Sequence, residues 1–152
     1  MRISARADYA VRAVAELAAA SGRGPIKGEH IAHAQGIPLK FLLNILSELR
    51  HARLVQSHRG AEGGYELARP ASEITLAEVI RAAEGPLANV HDARPEELAY
   101  PGPASRLREV WIAVRANLRA VLEVVTVADL ASGDLPASVE ALASDPEAWV
   151  PR

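Results

Sequence analysis

Apolar residues recur at helical spacing along most of this chain, and the spacing breaks at a few marked places. Tyr9, Ala10, Ala13, Val14 and Leu17 form one stripe. Ser4 is placed to cap that helix and Asp8 lies in its first turns, while Ser21-Gly22-Arg23-Gly24-Pro25 ends it. Ile26 reads as a short extended residue, able to pair with a later hairpin. Glu29 to Gln35 makes a second, short helix with Ile31, Ala32 and Ala34 inward. Gly36 stands where a helix C′ residue turns left-handed, which costs glycine nothing. Pro38 takes the first position of a third helix that runs to about His51. Leu42, Ile45, Leu46 and Leu49 form its inward stripe. Lys40, Phe41, Asn44, Ser47, Glu48 and His51 are left for the outward face and its edges. Leu43 also falls near that face, against the pattern.

The period then shortens. Leu54 to His58 is extended in character, Gly60-Ala61-Glu62-Gly63-Gly64 is a turn, and Tyr65-Glu66-Leu67 returns: a hairpin. Two strands alone are marginal in water, so the hairpin must lean on the helices. After Pro70, Thr75-Leu76-Ala77-Glu78 is a capping box that opens a helix through Glu84, stopped by Gly85-Pro86. Residues 87–104 lack periodicity and read as a loop over the body. Leu107, Trp111, Val114, Leu118, Val121 and Val125 then step by four and three in alternation, a heptad seam along one long helix. Arg106, Arg108, Arg115, Arg119 and Glu123 flank it. Thr126 to Asp129 starts a further short helix ended by Gly133, and the proline-marked acidic stretch from Asp134 reads as a flexible tail with room for one helical turn.

Helix, glycine turn, helix and hairpin in this order describe a winged helix-turn-helix, a module that lays its second helix in the DNA major groove. The expected fold is therefore mainly α: a winged helix-turn-helix with a two-stranded wing over 1–86, the loop over 87–104, a dimerisation helix and short following helix over 105–131, and the tail over 132–152. Alanine-rich composition with only 4% aromatic residues agrees with helices over a thick sandwich.

Charge sharpens this picture. The net charge is −2, but residues 1–70 hold ten Lys/Arg against six Asp/Glu, and residues 71–152 hold seven against thirteen. The basic half is the half with the helix-turn-helix. The chain has no cysteine, which excludes disulfides, thiolate-held zinc or iron–sulfur clusters, and thiol nucleophiles. No stretch approaches the ~20 apolar residues of a membrane span, and the N-terminus lacks a signal-peptide core, so the cytoplasm is the expected location and no membrane the expected partner. The glycines at 60, 63 and 64 lie in a hairpin, not between a strand and a helix, and no catalytic triad spacing is visible; no enzyme is expected.

Reading DNA takes cations for phosphates and polar side chains for base edges. Lys40, Asn44 and Ser47 share one face of the third helix at spacings of four and three, with Phe41 beside them. Asn44 suits adenine; Lys40 suits guanine or a phosphate. The helix starts at Lys27-Gly28 and Pro38 are candidates for backbone phosphate. On the hairpin, Arg59 sits at the shoulder of the tip, and an arginine on a thin ribbon suits a narrow minor groove. Gly60, Gly63 and Gly64 are expected to allow close backbone approach; the alternative is a tight turn that needs its glycines for itself.

The N-terminal MRISARADYAVRAVAELA, the helix GIPLKFLLNILSELRHARLV, the hairpin SHRGAEGGYELARP and the following EITLAEVIRAAEGP resemble the Rrf2 family of winged helix-turn-helix transcriptional regulators, the group of IscR, NsrR and CymR. The resemblance spans roughly residues 1 to 131. It implies a homodimer crossing through the long helix from about Ser105 to Val125, double-stranded DNA with a two-fold-related operator as the partner, third helices in major grooves and Arg59 at the minor groove. It also implies a regulator, with repression the expected sense and a bacterial source.

The chain departs from the pattern twice. Many members hold an iron–sulfur cluster on three cysteines before the long helix, and the corresponding ANVHDARPEELAYPGPASRLREVW has none. No metal site and no cofactor are expected. The alternative is oxygen and nitrogen ligation by Asp8, His33 and His91, against which His33 reads as a surface or packing residue and Asp8 as a helix-start residue. Leu43 is the second departure, where relatives often carry a polar residue. Tyr100 and Trp111 read as core packing over an effector pocket. The competing reading of the whole is a winged-helix interaction module that does not read DNA, favoured by Phe41 and Leu43 outward and by the acidic C-terminal half.

Overall fold

Ser4 opens the first helix by accepting the Ala7 amide on its hydroxyl at 3.0 Å, and α1 runs Ala5–Ala19. The computed structural model describes residues 2–152. Helix α1 buries Ala7, Ala10, Ala13, Val14 and Leu17 and packs against the helices over 28–35, 39–51, 76–84 and 127–132 and the strand over 64–67. Helix α2 spans Gly28–Gln35 and ends at Gly36, left-handed at φ 61°, where the Ile37 amide donates back to the Ala32 carbonyl at 2.9 Å. That closure turns Ile37 inward, 4% exposed, and starts α3, Leu39–His51. Pro38 stands at the N-cap (φ −57°, ψ 125°), one residue earlier than its expected first helical position. Ala34 is exposed, not inward; α2 is too short to hide more than Gly28, Ile31 and Ala32.

Leu42, Ile45, Leu46 and Leu49 of α3 are all fully buried. Each withdraws an apolar side chain worth about 1.5–3 kcal/mol. Strands β1, Val55–His58, and β2, Gly64–Leu67, pair antiparallel with Gln56 opposite Glu66 and His58 opposite Gly64. Ile26 joins them as expected: its amide donates to the Tyr65 carbonyl at 2.8 Å and its carbonyl accepts from Tyr65 at 2.7 Å. The hairpin is thus tied to the body rather than left to itself.

Helix α4, Leu76–Glu84, opens on the expected capping box: Thr75 accepts the Glu78 amide and Glu78 accepts the Thr75 amide. The same device recurs at Thr126 and Asp129, which open α6, Val127–Ser132. The two caps are stitched together. Thr75 and Thr126 form an antiparallel bridge in which Leu76 donates to the Val125 carbonyl at 2.9 Å and Val127 donates to the Ile74 carbonyl at 2.8 Å. Between them the chain makes two short 3-10 turns, Pro95–Glu97 and Gly102–Ala104, and then α5, Leu107–Leu122.

The bridge corrects the heptad seam. The long helix stops at Leu122: residues 123–124 turn the chain, and Thr126 then pairs with Thr75. Val125 accordingly lies in the core, 3% exposed, beside Val127 at 0%, and cannot belong to an outward seam. The tail differs from expectation too. Residues 137–143 form α7, Ala137–Ala143, about two turns long, followed by a 3-10 turn, Pro146–Trp149.

Candidate nucleic-acid interface

Two polar side chains of α3 are tied within the chain: Glu48 to Arg6 at 3.7 Å, and Arg50 to the Ser57 hydroxyl of β1 at 3.3 Å. Lys40 and Asn44 are exposed and without such partners among the described residues, and Ser47 is half-buried beside them. All three ride on a helix whose opposite side is locked into the core, so their backbone is rigid. A rigid platform with free donors is what base-edge recognition asks for. Pro38 and Lys27 are exposed at the N-caps of α3 and α2, where first-turn amides lack helical partners.

One expectation on this face changes, and two of its exposed apolar side chains find partial cover. Gly28 is buried: a Cβ there would lie 2.9 Å from Leu43 Cδ2 and 3.7 Å from the Tyr65 ring. It serves the packing of α2 against α3 and the wing, not a phosphate. Leu43 is thereby explained, since its tip covers Gly28 although 41% of the residue remains exposed. Phe41 meets Tyr9 of α1 edge-on, centroids 5.6 Å apart at 86°, so one side of its ring is already occupied by the body.

Arg59 is exposed directly after β1, and Gly60 turns the chain at φ +99° with open space around it. The other two glycines are consumed internally. A Cβ on Gly63 would lie 2.3 Å from the His58 carbonyl oxygen, and one on Gly64 would lie 2.5 Å from the Ile26 carbonyl. Gly63 is buried, so it offers no backbone to a duplex. Across the hairpin, Glu66 receives the Gln56 amide at 2.6 Å and His58 Nε2 at 2.7 Å. The bond to His58, then that to Gln56, holds the Glu66 carboxyl below its ordinary value. His58 and Arg50 were not singled out by sequence; the polar run Gln56-Ser57-His58 on a strand needing one wet face was the available signal.

On α5, Leu107, Trp111, Val114, Leu118 and Val121 are half-buried, and Val110 and Ile112 are 51% and 37% exposed. Beside them lies an apolar groove of about 930 Å³ walled by Ile3, Ile80, Leu87, Val114, Leu118 and Val121. Trp111 is half-buried and not part of the core, and its indole Nε1 is buried with no hydrogen-bond partner.

The metal alternative fails on its donors. Asp8 is paired with Arg12 at 3.0 Å, and Arg12 continues to Gln35 at the end of α2. Among the described residues no three His, Cys, Asp or Glu side chains gather to hold a metal, so Asp8, His33 and His91 are not brought together in one chain. With no thiolate in the sequence, nothing here fits a cysteine-held iron–sulfur cluster.

A family model described as Rrf2, iron-dependent transcriptional regulator, matches residues 3–133. The chain belongs to the Rrf2 family. It is 54% identical, over 95% of its length and 90% of the relative's, to a protein of Mycobacterium tuberculosis strain H37Rv named as a candidate HTH-type transcriptional regulator. It is 39% identical to the HTH-type transcriptional regulator CymR of Bacillus subtilis, over 87% of this chain and 91% of that one. The solved structure of B. subtilis CymR, titled the global cysteine regulator, superposes with a TM-score of 0.74 over 88% of this chain and 98% of that chain, at 37% identity. The T. potens IscR structure does so at 0.71, over 100% and 93%, at 31% identity. The protein is thus a DNA-binding transcriptional regulator of the helix-turn-helix type and not an enzyme. With no cysteine in the chain, a thiolate-held iron–sulfur cluster does not fit this member of the family. No helix of the described residues is long and apolar enough to cross a membrane.

Proposed function

We propose that this protein is a homodimeric, sequence-specific repressor acting in the bacterial cytoplasm without an iron–sulfur cluster. Each α3 enters a major groove of a two-fold-related operator, with Lys40, Asn44 and Ser47 toward base edges. The wing brings Arg59 to the adjacent minor groove, and Lys27, Pro38 and Gly60 lie along the phosphates. The α5 helices of two chains cover one another through Leu107, Trp111, Val114, Leu118 and Val121. The observation that carries the reading is that Lys40, Asn44 and Arg59 are all exposed on one rigid unit while the neighbouring cations Arg6, Arg12 and Arg69 are already paired.

The test is selection of bound genomic fragments at physiological salt, followed by anisotropy titration of the recovered duplex. We expect log affinity to fall linearly with log salt, as released counterions require, and a reporter behind the recovered site to be silenced. The interaction-module reading rested on Phe41 and Leu43 and on the acidic C-terminal half. Phe41 meets Tyr9 and Leu43 covers Gly28, yet Phe41, Leu43 and Leu39 stay 40%, 41% and 37% exposed on α3, so this reading keeps its apolar support there. Recovery of no fragment, together with a retained protein partner, would favour that module instead.

A further inference from the structure

Outside the DNA-facing surface, positive charge concentrates in a recess of about 430 Å³ between the end of α4, the segment after it and the middle of α5. Arg81 of α4, Arg94 of the segment, and Arg115 and Arg119 of α5 line it, with the Gly85-Pro86-Leu87 turn. Two carboxylates answer these four guanidiniums. Glu96 binds Arg115 at 2.6 Å, and Glu123 at the edge serves both Arg81 and Arg119, the latter at 3.9 Å. Arg94 has no ion pair among the described residues, so the recess keeps an excess of two positive charges.

Arg115 is the most enclosed, its side chain 15% exposed, and Glu96 occupies only part of its five-donor fork. Gathering like charges in a concavity opposes folding unless an anion takes up the excess. Two further features lie beside its lining residues along the chain. Ala88, His91 and Asp92, none of them glycine, hold φ of 55°, 48° and 64° in the segment that carries Arg94. The Val90–Ala93 pair closes a tight turn with His91 and Asp92 at its centre, which sets their backbone and fixes the stretch leading into Arg94. Trp111, one turn before Arg115 on the same face of α5, has the buried indole donor that lacks a partner.

We propose that this recess binds a small polyanion bearing at least two carboxylate or phosphate groups. The planar guanidinium fork matches both groups bidentately, and a volume of this size accepts a metabolite-sized molecule. A monoanion would leave one of the two excess charges unanswered. The Gly85-Pro86-Leu87 turn also walls the apolar groove beside α5, so an occupant sits against the chain that shapes the pairing surface. The proposal goes beyond DNA recognition and does not depend on it.

Calorimetric titration of the full chain with citrate and with pyrophosphate, at low salt and with acetate as the monoanion control, tests the site. Trp111 fluorescence in a Trp149→Phe background gives a second readout. We expect saturable binding of at least one dianionic or higher probe and none of acetate; which probe binds assigns carboxylate or phosphate. Arg94→Gln and Arg119→Gln should each weaken binding about tenfold, the loss of one charged hydrogen-bonding pair. Glu96→Gln should tighten it several-fold by removing the competing carboxylate, a direction that damaged folding does not produce. No saturation by either probe up to about 10 mM, or equal affinity in the arginine variants, overturns the site. So does loss of self-association in the Arg94→Gln, Arg119→Gln double variant with probe binding intact, which would place a partner copy's acidic group in the recess.

Discussion

Helices α3 and α5 are written in the same amphipathic code and come to opposite ends. Helix α3 has 13 residues and buries four of its apolar side chains completely. Helix α5 has 16 and buries none, although it too presents an apolar stripe. The first finds its cover within the chain, under α1 and β1. The second lies along the body, its seam half covered beside an open groove. Periodicity marks a face that wants to leave water; it does not say whose surface will take it. An uncovered face of this kind on a folded chain is the mark of an interface.

Substitutions should separate the two. Leu46→Ala, within the core of the helix-turn-helix, should cost about 2–5 kcal/mol of unfolding free energy in denaturant melts, since a cavity replaces a fully buried side chain. Leu118→Glu on α5 should change monomer stability by less than about 1 kcal/mol yet abolish self-association in light scattering and weaken operator binding at least about a hundredfold, one half-site being lost. Equal destabilisation by both would erase the distinction. Within the module, Arg59→Ala should weaken the operator complex by about 1–3 kcal/mol without moving the melting midpoint. Unchanged affinity at fixed salt would return Arg59 to the status of an idle surface cation.

The seam between the regions offers the smallest effects. Thr75→Ala should cost about 0.5–2 kcal/mol by removing the α4 cap, read by thermal melting. Acid should act on the same seam. Burial resists ionisation of Glu78, but the Thr75 amide and Arg69 outweigh it, and the net value lies below 4.5. The Thr126 amide and then its hydroxyl hold Asp129 below 3.8. Groups lowered on folding stabilise above their unfolded values and lose that contribution as pH falls through the folded ones. Stability should therefore hold down to about pH 4.5 and decline below it. A decline already complete at pH 5.5 would point to histidine instead.

The distinction between regions also marks how far sequence reading reaches. Caps, the Gly36 turn, the hairpin, the Ile26 pairing and the α3 core stripe were all legible, because each depends on residues a few positions apart or on a simple period. The missing cysteines by themselves removed the thiolate-held cluster. Val125 was misplaced because the heptad runs on past Leu122 in the sequence, while the helix is stopped by pairing with Thr75, some fifty positions earlier. Gly28, Gly63 and Gly64 looked available to a duplex until Leu43, His58 and Ile26 were seen against them. The sequence alone determined which local structures form, since their energies are local. Tertiary structure decided which of their faces remain open, because that depends on meetings between segments distant along the chain, and from these came both the candidate recognition surface and the arginine recess.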